Sequence, residues 1–161
     1  MRTPGALAIA VLAIGGTLTG CAGSGGGGGS GAPPKPACTP KGPPTISFSM
    51  DIQPIFNRSC ALVSCHTAPL PAQGQDLSPG VACSQLVNVP STEQPKFKRV
   101  KPGFPMESYL VRKIQGGPNI SGVLMPNGCP GVPSSGAQCL TPDEMEAIVV
   151  WIKDQCALCN S

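Results

Sequence analysis

The stretch on which the fold reading turns is Phe48-Ser49-Met50-Asp51-Ile52-Gln53-Pro54-Ile55-Phe56-Asn57-Arg58-Ser59-Cys60-Ala61-Leu62-Val63-Ser64-Cys65-His66. Its first part reads as a helix starting near Ser49 or Asp51, with Ile52, Ile55 and Phe56 turned toward a core. Pro54 is tolerated there only because it falls near the first turn. The helix runs toward Cys60, and the only histidine of the chain follows directly on Cys65. Two cysteines with a histidine immediately after the second is the arrangement that attaches haem c. Each thiol adds to a porphyrin vinyl group, and the adjacent imidazole lies under the iron. The usual gap between the cysteines is two residues and here it is four, which requires a bulged loop. Three readings of Cys60, Cys65 and His66 stay open on the residues alone. They are haem attachment, a plain Cys60–Cys65 disulfide beside a surface histidine, and a copper site of thiolates with His66 and a methionine, since soft ligands suit Cu(I).

Further segments lie downstream in order: Val100-Lys101-Pro102-Gly103, Ser108-Tyr109-Leu110-Val111-Arg112-Lys113-Ile114, Leu124-Met125-Pro126, and Leu140-Thr141 through Trp151-Ile152. Together with the opening run they resemble a family of exported bacterial cytochrome c-like lipoproteins, class I and monohaem, in which a four-residue gap before Cys-His occurs. The resemblance covers about residues 46 to 155. It implies one covalent haem c, with Cys60 and Cys65 as thioether cysteines, His66 as proximal iron ligand and Met125 as distal ligand. It also implies a single-electron carrier that is not an enzyme and that meets a redox partner protein. Phe104 stands where that family often has an acidic residue. Independently of the resemblance, Met125 sits in a long loop fixed by Pro126, 59 residues after His66. Such a methionine can swing a thioether onto an open iron face, and Met/His ligation raises the reduction potential. Arg112 and Lys113 read either as haem-propionate contacts or as solvated helix charges.

The rest of the chain frames this reading. There are 21 Gly and 20 Pro among 161 residues. Twelve of the glycines and seven of the prolines fall in residues 1–45, so a flexible front precedes a loop-rich globular back. Arg2 and the apolar Ala6–Ile14 read as a signal peptide over residues 1–20, too short to span a bilayer. Leu18-Thr19-Gly20-Cys21 resembles a lipobox, which makes Cys21 the lipidated residue. Residues 21–45 then form a Gly/Ser/Pro tether, and 46–161 the domain. The expected location is a lipid-anchored protein facing the periplasm or the cell exterior. Ala22 after the anchor favours the outer membrane.

Export favours disulfides. Cys38, Cys83, Cys129, Cys139, Cys156 and Cys159 are an even set, allowing three bridges. Cys129 and Cys139 flank a Pro/Gly loop, and Cys156 and Cys159 can bridge to Cys38 or Cys83. The net charge of +3 is too weak to argue for nucleic acid, and the chain is expected to be a monomer. The basic run Lys96–Lys101 reads as a solvated loop or as a docking patch for an acidic partner.

Four helices are expected. The last is the clearest: Thr141-Pro142-Asp143-Glu144 matches a capping box, and Met145, Ile148, Val149, Ile152 and Cys156 share one face. Trp151 falls one step off that stripe and reads as an edge residue. A second helix spans about Pro105–Gln115 with Met106, Leu110 and Ile114 inward. A shorter one starts near Ser78 and carries Val81, Leu86 and Val87. With no alternating strand pattern, the expected fold class is all-α, a small class I cytochrome c-like fold of about four helices with long Pro/Gly-rich loops, stapled by disulfides. Two alternatives stand beside it: a haem-free, disulfide-rich lipoprotein binding module, and a copper-binding protein.

Overall fold

The computed structural model describes residues 38–133 and 136–160. The signal peptide, Cys21 and most of the tether therefore lie outside the described residues. Those described belong to the unit Lys35–Ser161.

A π-helical turn, Phe48–Ile52, opens the domain. The Ser47 hydroxyl accepts from the Met50 amide and holds its start. It runs directly into α1, Gln53–Ser59, where Pro54 occupies the first turn as its missing N–H requires. Helix α2 is short, Ala82–Leu86. Helix α3, Tyr109–Gln115, follows a 3-10 turn at Pro105–Glu107. It ends at Gly116, whose φ of 84° supplies the left-handed cap. Helix α4, Pro142–Lys153, is the longest. Its capping box is complete: Glu144 N–H donates to the Thr141 hydroxyl at 3.3 Å, and Thr141 N–H donates to the Glu144 carboxylate at 2.9 Å. Only isolated β-bridges occur among the described residues, at Val87–Val100, Pro90–Lys98 and Lys98–Ser108.

Helices α3 and α4, the π-turn and α1 surround one core of Ile52, Phe56, Leu77, Leu86, Val100, Val111, Ile148, Trp151 and Ile152. Trp151 stands at its centre, fully buried, not at the edge. Phe48 packs on it with ring centroids 5.1 Å apart. The chain reverses after α4, and the Leu158 carbonyl accepts the indole N–H at 2.9 Å, so the face that looked outward is covered. Met106 also departs from expectation. The helix expected over 105–115 breaks at Ser108, whose hydroxyl contacts Lys101 N–H and the Phe104 carbonyl. Met106 is left 66% exposed on the 3-10 turn. Val81, expected inward, precedes α2 and is exposed.

Three disulfides join Cys38 to Cys156, Cys83 to Cys159, and Cys129 to Cys139. Their Cα separations of 5.7, 5.7 and 5.6 Å lie in the ordinary range. The first two pin the segment after α4 to the opening segment and to α2. Around that seam the chain ends meet. Lys41 N–H donates to the Asp154 carbonyl, and Phe48 N–H to the Asn160 side chain. Gly103 is needed here, because a Cβ at its positive φ would lie 2.9 Å from Cys38 Sγ.

The described residues are thus an all-α domain of four helices with three internal disulfides. The expectation of a cytochrome c-like fold is corrected. Six cysteines are tied to one another, and the remaining pair lacks the C-x-x-C-H spacing of the attachment signature.

Candidate functional site

Between α1, α3 and the loops that follow α1 and α3 lies a cavity of about 300 Å³. That is the lower end of the range for small-molecule sites. Its surface is predominantly apolar, with Leu77, Leu110, Ile114, Pro126 and Ala137 among the lining residues. Cys60, Cys65, His66 and Met125 all reach its walls.

Each arrives by a local cause. Cys60 caps the C-terminus of α1, with its N–H bonded to the Phe56 carbonyl at 2.8 Å. The chain then turns back on itself. Cys65 N–H donates to the Leu62 carbonyl at 2.9 Å and His66 N–H to the Cys60 carbonyl at 3.1 Å. Ser64, with φ of 67°, makes the reversal. His66 Nδ1 lies 3.2 Å from the Gln75 carbonyl, which orients the ring. Burial holds the His66 imidazole below its ordinary titration range, with the backbone bonds to Gln75 and Ala72 opposing it. Met125 is placed by its own N–H, which donates to the Lys113 carbonyl at 2.8 Å.

Cys60 and Cys65 are free thiols and are not bonded to each other. Burial first, and the neighbouring Cys65 second, push the Cys60 thiol up to about 12.

The cavity also holds the charged side chains of Glu93, Arg99 and Lys113. Arg99, read as part of a solvated basic loop, is 5% exposed and lines the cavity. Its Nη1 donates to the Gln85 carbonyl at 2.8 Å and its Nη2 to the Gln73 carbonyl at 3.2 Å. Among the described residues no carboxylate pairs with it. Lys113 differs: its Nζ meets Glu93 at 3.1 Å, and Glu93 also accepts from the Tyr109 hydroxyl at 2.8 Å. Ser59, 3% exposed, lines the same cavity, and its hydroxyl has no hydrogen-bond partner among the described residues. Arg112 lies elsewhere, donating to the Met106 and Pro118 carbonyls. No sequence pattern marks Arg99 for burial, because its partners come from α2 and from the turn at Gln73, fourteen and more residues away.

The metal and haem expectations do not survive this geometry. Among the described residues there is no group of three or more His, Cys, Asp and Glu side chains that could hold a metal ion. Six cysteines are consumed by disulfides, and four residues separate the two left over where the attachment signature has two. Haem c, the thioether roles of Cys60 and Cys65, iron ligation by His66 and Met125, and the electron-carrier function built on them are accordingly corrected. The copper alternative is corrected on the same ground. The residues fit a haem-free, disulfide-rich module better. No family profile, curated protein or solved structure matches the chain. No helix among the described residues is long and apolar enough to cross a membrane.

Proposed function

We propose that this protein is a haem-free, disulfide-stapled binding module, and that its ligand is a small, largely apolar molecule carrying an anionic group. The observation that carries this reading is Arg99, a buried guanidinium in an apolar cavity with carbonyl partners only. A charge held out of water is costly unless paired, and a ligand carboxylate or sulfonate would complete the pairing bidentately. The unpartnered Ser59 hydroxyl offers a second polar contact, and the apolar walls offer burial for the rest. The module holds its ligand without turning it over and acts as a monomer. Three disulfides suit an oxidising compartment. The anchor at Cys21 and the Gly/Ser tether would hold the domain off an exported membrane face.

The test is a titration of the purified protein with anilinonaphthalene sulfonate, a flat apolar anion, at neutral pH. The reading requires saturable one-to-one binding that competes with an apolar carboxylate such as dodecanoate. It also requires that an uncharged analogue of the same size binds at least about tenfold more weakly, since one charge-assisted pair contributes about 1.5–3 kcal/mol. Equal binding of charged and uncharged analogues, or no saturable binding, overturns it.

A further inference from the structure

All eight cysteines from Cys38 onward are described, and six form bridges while Cys60 and Cys65 remain free on one cavity wall. We propose that Cys65 and Cys60 form a thiol–disulfide exchange site, with Cys65 the attacking thiol, Cys60 the resolving thiol, and small disulfides of the glutathione type as substrate.

Three observations carry this. The first is the closed turn. The hydrogen bonds from His66 N–H to the Cys60 carbonyl and from Cys65 N–H to the Leu62 carbonyl return the chain to its own start, so both cysteines face the same space. The second is accessibility. The turn is a surface feature, with Val63 at its middle 83% exposed, and Cys65 is only half-buried. The third is asymmetry. Cys60 is 9% exposed and sits at the C-terminal end of α1, where the helix dipole disfavours an anion. Its raised thiol, held up by burial, makes it a poor first nucleophile and a protected second one.

The chemistry balances without any other redox agent. Cys65 gives its proton to solvent, and its thiolate attacks one sulfur of the small disulfide. That S–S bond breaks, one thiolate leaves and takes up a proton, and a mixed disulfide remains on Cys65. Cys60 then loses its proton and attacks the Cys65 sulfur. The mixed bond breaks, and the second small thiolate leaves and is protonated. Two protein thiols have been oxidised to one disulfide, and one small disulfide has been reduced to two thiols. The high position of the Cys60 thiol makes the second step the slow one. The proposal does not depend on what the cavity binds.

The experiment treats the full chain with oxidised glutathione, quenches with iodoacetamide, and reads intact mass and a non-reduced peptide map against time. The expected result is a transient single glutathione adduct on Cys65. It should be followed by loss of both alkylatable thiols and by a peptide linking Cys60 to Cys65, with the other three bridges unchanged. In Cys60→Ser the adduct on Cys65 should accumulate and stay. In Cys65→Ser, adduct formation at Cys60 should be at least about tenfold slower. The proposal is overturned if the wild-type pair remains fully alkylatable, if the adduct forms first on Cys60, or if the wild-type adduct never resolves to the internal bridge. The wild-type time course decides between these outcomes even if a serine variant folds poorly.

Discussion

The two sides of this small domain use the same residue type in opposite ways. On the seam around the end of α4, Cys38–Cys156 and Cys83–Cys159 close loops of 118 and 76 residues over a core centred on Trp151. On the cavity side, Cys60 and Cys65 are left unbonded beside His66, Met125 and the buried Arg99. At the seam the bridges add to backbone bonds such as Lys41 N–H to the Asp154 carbonyl and Gly103 N–H to the Ile152 carbonyl. The helices are short, aromatic residues are 4% of the sequence, and the ends of the domain must be tied across the core. The cavity side is walled by α1, α3 and by turns that backbone bonds hold, such as His66 N–H to the Cys60 carbonyl. The two long-range staples thus close one side, and free thiols and charged groups line the other.

The largest way to break this contrast is at the seam. Replacing Cys38 and Cys156 together by serine should lower unfolding stability by about 4 kcal/mol, the chain-entropy value for the shorter loop left while Cys83–Cys159 remains closed. Urea unfolding measures it. Replacing Cys60 and Cys65 together should cost far less, and equal losses would erase the distinction between the two sides.

Trp151→Ala comes next, at about 3–5 kcal/mol, because it empties the centre of the core and orphans the Leu158 carbonyl. A loss below about 1 kcal/mol would mean that the core is not organised around it.

On the cavity side, Arg99→Gln should weaken binding of the anionic dye by about tenfold or more, equivalent to about 1.4 kcal/mol. Arg112→Gln, on the neighbouring helix but outside the cavity, should leave it unchanged. Parallel effects of the two variants would point to general surface charge.

The smallest effect concerns His66, whose ordinary value is 6.5 and whose folded value burial lowers. Between the folded and unfolded values the unfolded chain binds more protons, so stability rises with pH there. The contribution is complete above about 6.5 and is lost as pH falls through that point toward the lower folded value. His66→Gln should flatten the denaturant midpoint between pH 7.5 and pH 5, and an unchanged slope would assign it to other groups.

Local signals carried much of the fold. The capping box at Thr141 and the 3.6-residue spacing after it gave α4, and Pro54 was readable as a first-turn proline. What failed was whatever depended on contacts outside the element being read. Trp151 looked peripheral because the stripe was counted on α4 alone, and the returning segment at Leu158 covers the other face. The helix over 105–115 splits because Ser108 finds Lys101 and Phe104, which spacing does not reveal. Arg99 looked solvated because its neighbours in sequence are Lys98 and Lys101, while its partners in space are Gln73, Gly74 and Gln85. At the site, the sequence singled out Cys60, Cys65, His66 and Met125, and the structure sets all four on one cavity. The chemistry assigned to them did not carry over, because a cysteine–cysteine–histidine string leaves unstated whether the spacing and the surrounding donors can hold a metal centre.

The central claim is that the cavity is a haem-free ligand site. It is tested most directly by exporting the full chain from a host with active c-type cytochrome maturation, then recording visible absorption and intact mass. The account predicts a colourless protein whose mass, apart from the lipid on Cys21, is that of the polypeptide alone, with the Cys38–Cys156, Cys83–Cys159 and Cys129–Cys139 bridges in place and no porphyrin. A coloured protein carrying a porphyrin bound covalently through Cys60 and Cys65 would contradict it.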